Sequence, residues 1–74
     1  MTGVGQKLRE LRLKRGLSQT KLAQKVGVSQ TFISALEMGL KQPSLKTLLA
    51  LADALSVSPD ELLHVAAEEV PHDS

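Results

Sequence analysis

The chain has 74 residues, enough for one domain with a small core. It contains no cysteine, which excludes a disulfide framework and a thiolate metal site. The net charge of +1 conceals a division: every Lys and Arg precedes Thr47, and six of the eight acidic residues follow it.

Val4, Leu8 and Leu11 recur at helical spacing, so a first helix is predicted from Val4 to Arg15, with fraying expected at the start of Met1–Gly5. Gly16 ends it and Leu17 anchors the turn. Ser18 and Ser29 each stand where a hydroxyl can accept an unpaired N–H from the opening turn of a following helix. Leu22, Ala23 and Val26 then share one face of a second helix, and Ile33 and Leu36 one face of a third. Ala23 is small where two helices must cross closely, and Gly27 suits a left-handed turn between them. These coincident requirements over Gln19 to Met38 are those of a helix-turn-helix, whose second helix enters the DNA major groove. The plainer alternative is a helical hairpin with no ligand.

Gly39 closes the third helix, and a short loop over 40–43 leads to Ser44, the cap of a fourth helix from Leu45 to Leu55. Its inner face is expected to hold Leu45, Leu48, Leu51, Ala52 and Leu55. Ser58-Pro59-Asp60-Glu61 reads as a full capping box opening a fifth helix to Ala67. The polar tail, 68–74, is expected to be flexible. No strand pattern or repeat occurs, so the expected architecture is all-α, with five helices in a single domain over 1–74, ordered from 4 to 67.

Function follows from charge and from the outer faces. Nine basic residues opposed by Glu10 and Glu37 alone leave the first 46 positions with a surplus of seven positive charges, suited to phosphate. With Ile33 and Leu36 inward, the third helix turns Gln30, Thr31, Ser34 and Ala35 outward. Gln30 is the first candidate for base reading, because its amide can pair with N6 and N7 of adenine; Thr31 and Ser34 can reach bases or phosphates. Gln19 opens the second helix, where free N–H groups favour a phosphate. Arg9, Lys21 and Lys46 can add charge contacts, while Lys14, Arg15 and Lys25 are expected to be solvated. Phe32, the only aromatic residue, is only partly inward-facing and fits the core edge.

An enzyme is not expected. His64 and His72 lack companions for a metal site, and neither a glycine-bracketed nucleophile nor a phosphate-binding loop is present. No cofactor or small-molecule ligand is called for. No apolar run could span a membrane, and Met1–Gly5 lacks the features of a signal peptide, so the expected location is the cytoplasm, at the nucleoid.

GLSQTKLAQKVGVSQTFISALEMG, followed by PSLKTLLALADAL and VSPDELL, resembles the Xre/Cro-type family of phage and bacterial repressors. The resemblance covers Val4 to Leu63 and implies a five-helix repressor-like DNA-binding domain acting as a homodimer on a near-palindromic operator. It implies a base contact for Gln30 and phosphate contacts for Gln19, Lys41, Gln42 and the backbone at Ser44, and it gives Phe32 a second reading, a DNA contact, beside the core edge. It also implies that Arg12 pairs with Glu37 in a buried ion pair, with the other guanidinium edge offered to a phosphate. One position departs from the pattern: relatives often carry a basic or amide residue after that glutamate, and this chain has Met38. The fifth helix has more apolar surface than one small core uses, so Leu62, Leu63, Val65 and Ala66 are the expected dimer interface. A protein-interaction module of antitoxin or bridging-factor type is the second reading of the same fold.

Overall fold

In the computed structural model, which describes residues 3–68, Ser18, Ser29 and Ser44 each cap the helix that follows. Ser18 Oγ accepts from the Lys21 N–H at 3.0 Å, Ser29 Oγ from Phe32 at 3.0 Å, and Ser44 Oγ from Thr47 at 3.2 Å. The helices so defined are α1 (Val4–Lys14), α2 (Gln19–Val26), α3 (Gln30–Glu37), α4 (Leu45–Ala54) and α5 (Pro59–Glu68). The fold is all-α. Gly27 ends α2 at φ 85°, and its neighbour Val28 returns an N–H to the Ala23 carbonyl at 3.0 Å. That closure satisfies a helix-end acceptor and turns the chain toward α3.

One core joins all five helices: Val4, Leu8 and Leu11 from α1, Leu22 and Ala23 from α2, Ile33 and Leu36 from α3, Leu48, Leu51, Ala52 and Leu55 from α4 and its end, and Leu62 from α5. α3 packs against α1 and α2, while α4 packs against α2 and α5. α3 is thus held from behind by two helices.

Several local expectations are corrected. Leu45 was placed on the inner face of α4 but is 61% exposed, because the first residue of that helix projects past the edge of the core. From Val4 onward the first helix is tightly held, while residues 1 and 2, where fraying is expected, lie outside the described residues. Gly5 lies buried inside α1, and a Cβ there would stand 2.2 Å from the Leu36 carbonyl oxygen. Glycine is what allows α1 to cross the end of α3 backbone to backbone. At α5, Ser58 Oγ accepts from Asp60 at 3.3 Å rather than from Glu61, whose carboxylate lies 4.0 Å from Lys7 Nζ on α1. Both charges of that pair are well exposed, so it contributes little. Most of the expected tail, 69–74, with His72, lies outside the described residues. Among the described residues no helix is long and apolar enough to cross a membrane.

Candidate nucleic-acid interface

The outer face of α3 is built from its amphipathic pattern. Ile33 and Leu36 are fully buried, which leaves Gln30 and Thr31 exposed, with Ser34 and Ala35 half-buried at the edges. A chain of side-chain hydrogen bonds runs from this face into the interior. Gln30 Nε2 donates to Gln19 Oε1 at 2.7 Å, and Gln19 Nε2 donates to Glu37 Oε1 at 3.1 Å. Glu37 is held in turn by Arg12, whose Nε donates to Oε2 at 2.6 Å and whose Nη2 donates to Oε1 at 3.1 Å. This two-point pairing is the geometry in which guanidinium and carboxylate bind most strongly.

The network has two chemical consequences. Each amide in it has a fixed sense: Gln30 gives one N–H to Gln19 and keeps its second N–H and its oxygen for a ligand. That remaining donor and acceptor match the N7 and N6 groups of adenine. The second consequence concerns charge. Glu37 is the one carboxylate on α3, and Arg12 neutralises it below the surface, so it does not repel a phosphate.

The predicted ion pair is therefore present, but Arg12 does not offer a second edge outward. The residue is 7% exposed, and its Nη1 donates to the Leu17 carbonyl at 2.8 Å. Arg12 braces α1 against the turn before α2 and against α3, and its expected phosphate contact is withdrawn. Arg9, Lys21, Lys41, Gln42 and Lys46 are all exposed, as a phosphate-binding rim requires. Ser44 is exposed too, with its hydroxyl engaged in capping α4 and in donating to Thr47 Oγ1 at 3.0 Å. Phe32 is half-buried against the rim of the core, which favours the structural of its two readings.

Two further assignments change. Arg15, expected to be solvated, donates from Nε to the Leu55 carbonyl at 2.8 Å and from Nη2 to the Ser56 carbonyl at 3.2 Å. It caps the C-terminus of α4 from 40 residues away, where Ser56 adopts φ 57°. Only the arginine–helix-end complementarity could have signalled this, and nothing local fixes which helix end is met. Of the expected interface residues, Leu62 is 0% exposed and belongs to the monomer core. Leu63 and Val65 are half-buried against that core, and the side chain of Ala66 lies outside those described. Among the described residues no group of His, Asp and Glu is placed to hold a metal ion.

Residues 8–62 match the helix-turn-helix family. The chain is also 40% identical over 68 residues to the uncharacterized HTH-type transcriptional regulator y4dJ of Sinorhizobium fredii, an alignment covering 92% of this chain and 87% of the relative. The chain belongs to the helix-turn-helix family, in its Xre/Cro-type branch. Similar solved structures of this family include the restriction-modification controller protein C.AhdI from Aeromonas hydrophila, at TM-score 0.78 and 44% identity over 80% of this chain and 86% of that one. Another is SinR, a master regulator of biofilm formation solved in complex with DNA, at TM-score 0.77 and 34% identity over 81% of this chain and 97% of that one. The family is one of transcriptional regulators, and in this member the buried Arg12–Glu37 pair ties the first helix to the third while the Gln30–Gln19 bond ties the third to the second.

Proposed function

We propose that this helix-turn-helix protein is a sequence-specific, double-stranded DNA-binding transcriptional regulator that acts as a homodimer on a near-palindromic operator. The observation that carries the reading is Gln30, held outward on α3 by Gln19 with one donor and one acceptor unspent. α3 lies in the major groove, where Gln30 reads a base and Thr31 and Ser34 contribute beside it. Gln19, Lys41, Gln42, Lys46, Arg9 and the backbone at Ser44 position the protein on phosphates. DNA-bound SinR supports the groove assignment. The protein works by binding rather than by catalysis, in the cytoplasm at the nucleoid.

The apolar surface left in solvent supports pairing of two copies. Leu45 and Leu49, one turn apart on α4, are 61% and 43% exposed, and Leu63 and Val65 retain part of their surface on α5. Two copies place their α3 helices about 34 Å apart, one turn of DNA.

A mobility-shift titration at several salt concentrations tests the reading. If Arg9, Lys21, Lys41 and Lys46 of both copies each neutralise one phosphate, the log–log slope of affinity against salt is about −7. Absence of duplex binding at low salt would refute it and favour the protein-interaction module.

A further inference from the structure

Met38 stands where α3 ends, and its side chain is 67% exposed. Its Sδ lies 3.6 Å from Ser34 Oγ, one helical turn back, with the hydroxyl as the donor. The Met38 N–H donates to the Ser34 carbonyl at 3.0 Å, which sets the two residues one turn apart on the same side of the helix. A thioether has no proton to give, so the only proton in this contact is that of Ser34. Directed along the helix at sulfur, that proton is not offered to a ligand in front of α3 while the contact holds. What Ser34 presents outward is oxygen lone pairs.

This polarity has a consequence for recognition that rests on α3 lying in the major groove. Phosphate oxygens only accept hydrogen bonds. On the major-groove edges, guanine offers the acceptors N7 and O6, and thymine offers the acceptor O4 and a methyl group. Adenine N6 and cytosine N4 carry donors. A hydroxyl that can only accept distinguishes the second pair of bases from the first.

We propose that Met38 is a specificity-determining residue acting through Ser34: it makes Ser34 an acceptor, so that this position of each half-site takes a base with an exocyclic amino group, adenine or cytosine. Met38 is a positioning residue and touches no base itself. A basic side chain in its place is a donor, and would leave the Ser34 proton free to bond a phosphate or a carbonyl base edge.

Selection of bound duplexes from a random pool tests this, using the full chain and its Ser34→Ala, Met38→Leu and doubly substituted variants. Met38 is exposed and Ser34 half-buried, and circular dichroism establishes that each variant is folded. Ser34→Ala identifies the position that depends on the hydroxyl, and the unsubstituted protein selects adenine or cytosine there. Met38→Leu keeps the size and removes the acceptor; it relaxes that position about two- to threefold, the low end for one net hydrogen bond because a thioether is a weak acceptor. In the Ser34→Ala background Met38→Leu changes nothing further at that position. Guanine or thymine there, an unchanged preference in Met38→Leu, or no position responding to Ser34→Ala overturns the proposal while DNA binding itself stands. Failure of the unsubstituted protein to retain any duplex at low salt removes the groove reading, and this proposal with it.

Discussion

Replacing Arg12 by methionine, a side chain of similar length without charge or donors, isolates the centre of the network. Glu37 has 4% of its side chain exposed and would keep only the Gln19 amide as a hydrogen-bond donor. Its carboxylate is then stranded in low dielectric, for which removal of one partner of a buried pair costs about 3–5 kcal/mol. A domain of this length has a total stability of only about 4–11 kcal/mol. With roughly 4–8 °C of melting temperature lost per kcal/mol in small domains, Arg12→Met should melt at least about 12 °C lower. The paired substitution Arg12→Met with Glu37→Leu strands no charge and should recover most of that loss. It leaves Gln19, and through it Gln30, without an anchor, so base discrimination at the Gln30 position should fall while stability returns. Thermal unfolding by circular dichroism and binding to matched and single-base-changed duplexes read the two effects separately. A single variant that melts within about 1 °C of the parent would refute the buried-pair reasoning, because a change that small belongs to an exposed, screened pair. A double variant that reads DNA normally would refute the coupling of Gln30 to the pair.

Gln30→Ala should lose about 1–3 kcal/mol at one base position per half-site and leave nonspecific binding nearly intact, as measured by competition with single-base variants of the operator. Gly5→Ala should destabilise by about 1–3 kcal/mol in denaturant titration, since the added methyl meets the backbone oxygens of Leu36 and Glu37, which no rotamer change can move aside. Arg15→Ala should cost about 1 kcal/mol of stability by removing the cap on α4, with operator preference unchanged in the same competition assay.

The local code was legible at all but two points, the Ser58 capping box and the inward placement of Leu45. Serines 18, 29 and 44 and glycines 16, 27 and 39 set where helices begin and end through bonds within a few residues, and the apolar spacing of α1 to α4 assigned all but one inward side chain correctly. The exception, Leu45, shows the limit of periodicity: it gives the direction of a side chain but not where the opposing surface ends. The Arg12–Glu37 pair came from family resemblance, since a separation of 25 positions gives no local cue that two charges will meet. Gly5 against Leu36, Arg15 on the end of α4, and the withdrawal of Leu62 into the core all depend on how helices are set against one another. Hydrogen bonding and steric fit act over a few ångströms, so sequence determined the pieces and their outward chemistry. Only packing decided which distant groups would occupy the same few ångströms, and therefore which polar side chains remain for a ligand.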